Sequence, residues 1–403
     1  MMKFSSNARV SLLLLLSVFS AWASGFHAVR RIGLTHSVSS QRFSRTSSGY
    51  HTTEKKNAPK EESRYPASMT DTSLQMGLIG SLRGGAIVEG ATVALTNSLQ
   101  GDATAMGILA LTTVASTAIL PLTLYRQAYC FSVGYGLSVA AMGLTLWNVF
   151  RDSLVASSGP TPFPASLLLV SSLIVYGIRL GTYLLAREVV VPSKREQIKS
   201  FDKTPRLKRI PFSLSVSLLY AFMTTPALFL CRASAKGILS DKAHQVAMVG
   251  AAIAWIGTVI EGVSDQQKFM AKRGKDGSTK FQGPSNGCYR ISRHPNYFGE
   301  IVFWFGILLG GAPGLQKNIP AWIVSLLGFT AIFKIMSSAT DRLETKQSEK
   351  YGGQEAYEKW KKEVPKLYPT NVLGAFLPLS VSVAAAAMLM KGILWFAATG
   401  STA

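Results

Sequence analysis

Three groups of polar residues interrupt an otherwise apolar chain, and each is spaced so that it can do chemistry. Glu261, Asp265 and Lys268 fall at i, i+4 and i+7, which puts them on one stripe of a helix. Acids at the C-terminal end of a helix oppose its dipole, so this pair needs a partner or a ligand. A solvated helix end closed by a Glu–Lys pair fits the same spacing, and both readings stand. The second group is the run 287–300, Gly-Cys-Tyr-Arg-Ile-Ser-Arg-His-Pro-Asn-Tyr-Phe-Gly-Glu. Pro295 suits the first turn of a helix, whose N-terminus with Arg290 and Arg293 beside it offers a seat for phosphates. His294 titrates near neutrality and can hold a phosphate or pass a proton. Gly299 lets a ligand approach the backbone closely. Glu300 stands inside an apolar run, a costly position that marks function by default. An interfacial anchor explains Arg293, Pro295 and Tyr297, and leaves His294, Asn296 and Glu300 without a reason. The third group, residues 344–366, mixes charge with Tyr351, Tyr357 and Trp360, and reads as a surface helix lying on a membrane. Arg179 and Arg187 either snorkel to the same rim as anchors or meet an anionic cofactor there.

The elements that must carry these groups are membrane helices. Of the 403 residues, 48% are hydrophobic and only 16% are charged, against about a quarter charged in soluble proteins. The apolar residues come in blocks of about 20, the length needed to cross about 30 Å of hydrocarbon. Eight spans are expected, at residues 102–121, 128–150, 163–187, 211–231, 244–263, 297–315, 318–337 and 371–397. The fold expected is therefore all-α, a polytopic transmembrane bundle of about seven or eight spans. Pro121, Pro164, Pro211, Pro320 and Pro365 are expected at or near span ends, where a missing N–H costs least. The stretch 74–99 is less apolar and reads as an interfacial or poorly ordered segment.

Loop charge tests that topology. Residues 187–209 hold eight Lys or Arg against three acids, 268–294 seven against one, and 341–366 seven against six. Each pair of loops is separated by two spans, so all three fall on one face, which the positive-inside rule makes cytosolic or stromal. The net charge of +21 is thereby a membrane-orientation signal, with a further share in the N-terminal region. No basic helix is interleaved with aromatics, so nucleic acid is not an expected partner. Cys130, Cys231 and Cys288 have no metal-ligand spacing, and an odd, sparse count argues against a disulfide framework. Outside the N-terminal region only His244 and His294 remain, so no metal site is expected.

Residues 1–65 read as an address. Lys3 and Arg9 precede an apolar run at 11–23 that ends in small residues, the pattern of a secretory signal. Residues 26–53 then lack any acid and carry Arg30, Arg31, Arg42 and Arg45 among many Ser and Thr, as transit peptides do. The junction Ala23-Ser24-Gly25-Phe26 resembles the bipartite presequence of algae with secondary plastids. A plastid membrane is the location this implies, with the endoplasmic reticulum as the alternative. The chain thus divides into a presequence at 1–65, a linker at 66–100, a membrane domain at 101–370, and an extra helix and tail at 371–403.

Taken together, the polar groups resemble the steroid 5-alpha-reductase-like family, in particular its DUF1295 branch. The matching pieces are Arg179 and Arg187, then Glu261, Asp265, Gln267 and Lys268. The run Ser292-Arg293-His294-Pro295-Asn296-Tyr297-Phe298-Gly299-Glu300 follows, and Glu344, Tyr351 and Tyr357 before Val364-Pro365 complete the set. The resemblance spans roughly residues 125–370, and the nine-residue run is its specific part. It implies a helical fold that holds NADPH between helices and reduces a carbon–carbon double bond of a lipid entering from the bilayer. Arg179, Arg187, Glu261, Asp265, Lys268, Arg293, His294, Asn296, Tyr297, Glu300, Glu344 and Tyr351 would then line the cofactor pocket. Glu300, Tyr297 and His294 would serve the reaction itself. The family's substrate-activating residues find no match in the first spans. Isoprenylcysteine and phospholipid methyltransferases share an Arg-His-Pro-x-Tyr segment before a helical hairpin, which keeps S-adenosylmethionine as the alternative cofactor. A membrane protein without catalysis is the third reading.

Overall fold

The computed structural model describes residues 88–155, 164–272 and 279–369. The expected presequence and the expected span at 371–397 lie outside these residues. All regular structure among them is helical. Seven long helices pass back and forth: α1 (Thr104–Tyr125), α2 (Val133–Val149), α3 (Ala165–Val190), α4 (Ile210–Ala235), α5 (Asp241–Lys272), α6 (Pro295–Leu315) and α7 (Ile319–Tyr351). A short helix, α8 (Glu355–Glu363), follows. Six of these are long and apolar enough to cross a membrane, and α2, with 17 residues, is the shorter exception. At 1.5 Å per residue α2 covers about 25 Å, a little less than a hydrocarbon core. The chain is an integral membrane protein.

Local chemistry sets the ends. Pro295 opens α6, and the Asn318 side chain caps α7 by accepting from the Ala321 N–H at 3.0 Å. α7 stops at Gly352-Gly353, where Gly353 takes φ +80°, the left-handed conformation that only glycine adopts freely. One sequence expectation is corrected here. Residues 344–366 are not one surface helix, because that glycine pair divides them between the end of α7 and α8. Pro121 lies in the last turn and a half of α1, near its end as expected. Residues 88–100 are helical.

Contacts across the bundle fix its two ends. Arg126, after α1, pairs with Asp202 in the loop after α3 at 2.7 Å. Tyr183 near the end of α3 donates to the Asp265 carbonyl near the end of α5, and Arg293 before α6 pairs with Glu344 late in α7. At the other end Ser166 meets Ser234, and Asn318 meets Thr104. The three basic loops therefore share one end, as their charge count implies. α5 and α6 pack most intimately, α2 pairs with α3, α1 with α4, and α6 also touches α3, α4 and α7. The close pairs are glycine-made. A Cβ on Gly299 would stand 2.6 Å from the Glu261 nitrogen, and one on Gly257 would stand 2.6 Å from the Gly299 oxygen. Without side chains between them the two backbones touch, the small-residue packing that membrane helices favour.

Candidate functional site

The close approach of α5 to α6 positions a polar layer toward the basic end of the bundle. Arg179 reaches from α3 to α5, pairing with Glu261 at 2.7 Å and with Asp265 at 2.9 Å. Glu261 and Asp265 are one helical turn apart and both buried, so a single guanidinium spans the stripe that their spacing creates. Because α5 runs on to Lys272, the two acids do not sit at the helix end as expected, and the cation offsets the cost of burying two carboxylates rather than a dipole penalty. Glu300 enters the layer from α6. Its Oε1 accepts from Tyr135 Oη of α2 at 2.8 Å, and Tyr135 Oη accepts in turn from Trp304 Nε1 at 2.6 Å. Tyr176 of α3 lies within 3.4 Å of the same phenol, and its ring stacks flat on Phe303 at 3.8 Å. Four helices thus converge on a layer with three carboxylates and one guanidinium, walled by aromatic rings.

A second knot sits where α6 begins. Arg293 spends its fork on the chain itself. Nε and Nη2 bind the two Glu344 oxygens at 3.1 and 2.7 Å, and Nη1 binds the Lys361 and Val364 carbonyls at 2.7 and 2.6 Å. Its backbone N–H donates to the Pro365 carbonyl, and Ser292 Oγ donates to the Leu367 carbonyl. Ser292 and Arg293 are therefore braces for the strap that follows α8. His294 caps α6 with no exposed surface, and its Nε2 lies 2.7 Å from Glu344 Oε1. Burial lowers the basicity of His294, the hydrogen bond to Glu344 works against that shift, and Lys268 nearby adds to it. The Tyr297 ring lies nearly parallel to the imidazole, 5.9 Å away.

Two polar atoms of this run have no partner. His294 Nδ1 and Asn296 Oδ1 are both buried and unbonded. Such an atom costs about 1–3 kcal/mol unless something satisfies it. Around them the charges are mixed: Lys268 lies within electrostatic reach of Lys272, Asp265, Arg187 and Lys194, and Tyr297 within reach of Glu300 and Asp265 as well as Arg187 and Arg342. Arg187 also lies over the Tyr183 ring, 5.6 Å from its centroid.

Most residues singled out in the sequence meet here. Arg179, Glu261 and Asp265 form one ion cluster; Arg293, His294 and Glu344 form another; Glu300, Tyr297, Asn296, Lys268 and Arg187 lie around or between them. Tyr351 stands apart, in an aromatic cluster of Phe281, Tyr357, Trp360 and Tyr289 that binds the strap to the loop before α6. Tyr135 and Tyr176 are the residues that sequence reasoning missed. Their signal was slight, a phenol within each of two apolar spans, although Arg179, three residues after Tyr176, lies over the Tyr176 ring at 5.4 Å.

A family model described as a protein of unknown function (DUF1295) matches residues 143–364, more than half of the chain. No curated protein and no solved structure matches.

Proposed function

Starting from the chain's membership of the DUF1295 family, we propose that it is a membrane reductase that uses NADPH to saturate a carbon–carbon double bond in a lipid. One observation carries this reading: His294 Nδ1 and Asn296 Oδ1 are buried, unbonded and set toward the basic end of the bundle, at the opening of a helix. Asn296 Oδ1 accepts, and so does His294 Nδ1 when Nε2–H donates to the Glu344 carboxylate. The two suit the N–H and O–H edges of a dinucleotide, while Arg187, Lys268 and the α6 N-terminus would face its phosphates. His294, Asn296 and Tyr297 would hold its polar edges. Arg179 with Glu261 and Asp265 forms the floor beneath, and Arg293 with Glu344 keeps His294 oriented. Tyr351, in the aromatic cluster of the strap, would act through that strap.

NADPH supplies a hydride when bound. The chain has to provide the proton that completes the reduction, and Tyr297 Oη is the donor assigned here. Glu300, within electrostatic reach of Tyr297, would return that proton, and His294 would orient the cofactor beside it. Tyr135 fixes the Glu300 carboxyl by donating to Oε1 while Trp304 fixes Tyr135. The aromatic walls keep water from the layer, which strengthens each of these contacts.

S-adenosylmethionine stands as the second reading because the layer has three carboxylates to one guanidinium, and an excess of acid suits a sulfonium cation. Purified protein titrated with each cofactor while its thermal unfolding is followed separates the two. A ligand at a hundred times its dissociation constant adds about 2.7 kcal/mol. The expected result is stabilisation by NADPH that disappears in His294→Ala and in Asn296→Ala. Stabilisation by S-adenosylmethionine alone overturns the reductase reading in favour of a methyltransferase, and a response to neither favours a protein without catalysis.

A further inference from the structure

The loop between α3 and α4 is far from simple tethering chain. Asp202 pins it: Oδ2 pairs with Arg126 at 2.7 Å, while Oδ1 accepts from the Gln127 N–H at 2.8 Å and lies 3.2 Å from Arg209. Arg209, itself buried, reaches on to the Thr204 and Thr123 carbonyls. Residues 191–209 carry seven cations and two acids, and both acids are already engaged, Asp202 in this knot and Glu196 by Lys199. Lys203, Arg206 and Lys208 are left exposed, with no carboxylate at ion-pair distance among the described residues.

The same surface is apolar in a pointed way. Leu207, between Arg206 and Lys208, is 76% exposed, more than any other large apolar side chain described. Phe201 and Phe131 pack edge to face at 5.6 Å, each 45% exposed. These side chains continue the exposed apolar faces at the ends of the two adjoining spans, Val190 on α3 and Phe212 and Leu214 on α4.

From this juxtaposition we propose that the rigid α3–α4 loop is a docking surface for anionic phospholipid, with Lys203, Arg206 and Lys208 on headgroup phosphates and Leu207, Phe201 and Phe131 in the acyl boundary. Exposed cations alone would suit any polyanion. Cations alternating with bare apolar side chains at the rim of a membrane helix pair suit a lipid, because water penalises the second component and a bilayer rewards it. The Asp202 knot holds the loop in shape beforehand, so little ordering is lost on binding. The proposal does not depend on which cofactor the interior takes.

The test counts phosphatidylglycerol and phosphatidylcholine molecules retained by the full chain in detergent, by native mass spectrometry, as each lipid is titrated. Each surface cation contributes enough that K203Q/R206Q/K208Q should weaken phosphatidylglycerol retention about 100-fold and leave phosphatidylcholine unchanged. Leu207→Ser should weaken it about tenfold. The control K346Q/K359Q/K362Q removes equal charge from the same end of the bundle, among the acids Glu349, Glu355, Glu358 and Glu363, and should change little. Equal losses in the triple variant and the control overturn the proposal, as does retention by the triple variant at the wild-type level. Should the triple variant fail to fold, the wild-type protein decides: phosphatidylglycerol retention must fall with added salt. Displacement of the lipid by excess inorganic phosphate, or tighter capture of RNA than of lipid, would also overturn it.

Discussion

α5 and α7 are of nearly equal length and both cross the bundle, yet they are held in opposite ways. α5 meets α6 backbone to backbone at Gly257 and Gly299, with no side chain between them. α7 has 22% of its apolar stretch buried, against 50% to 67% in the other five long apolar helices. It turns Ile319, Ile323, Leu326, Leu327, Phe333 and Ile335 outward. Its strong polar tie to the site comes near its end, where Glu344 receives both Arg293 and His294. A polar layer inside a membrane protein needs walls that do not move, and touching backbones supply them. A helix that faces lipid can contribute to such a layer through one well-placed carboxylate.

That contrast can be broken deliberately. Gly257→Leu inserts a side chain where the α6 backbone already stands, and should cost more than about 4 kcal/mol, seen as loss of folded protein or a collapse of the unfolding midpoint in mixed micelles. Glu344→Ala should cost about 3 kcal/mol by the same measurement, because it leaves Arg293 and His294 without their shared acid. Tyr135→Phe should cost about 2 kcal/mol, since Trp304 Nε1 loses its acceptor and Glu300 its donor.

The pH dependence sharpens the same comparison. Burial holds the folded pKa of His294 below its ordinary 6.5, so the unfolded chain takes up a proton first as pH falls. The stability this residue contributes is complete above about pH 6.5 and is lost as pH drops through the lowered folded value. Unfolding midpoints at pH 7.5 and pH 5.5 should therefore differ less in His294→Asn than in the wild type. The smallest effect belongs to the bare face of α7: Leu326→Ala should stay within about 0.5 kcal/mol. A large loss there would mean that this face is covered by protein.

The apolar blocks made most of the fold legible. The span expected at 297–315 is α6 at Pro295–Leu315, and that expected at 211–231 is α4 at Ile210–Ala235. Several helices ran past their expected ends, α5 to Lys272 and α7 to Tyr351 the furthest among them, because hydropathy stops at the membrane while helix propensity does not. Within the site, the i, i+4 spacing of Glu261 and Asp265 was readable. Its partner Arg179 lies more than 80 residues earlier, and only the tertiary fold joins them. Arg293 was legible as important and misleading as to its task. A phosphate seat and an internal brace demand the same planar fork, and sequence has no way to show which oxygens occupy it. Tyr135 was invisible for the converse reason: a lone phenol in an apolar helix looks like packing until Glu300 is placed against it.

The brace has a consequence for how relatives of this chain should vary. Arg293 and Ser292 grip the strap through main-chain oxygens of Lys361, Val364, Pro365 and Leu367, and every amino acid carries such an oxygen. The grip itself thus does not depend on which side chains these positions carry, while substitution of Arg293 undoes it at a stroke. An alignment should show a nearly invariant arginine facing a partly variable tail, the mark of a lock whose key is written in the backbone.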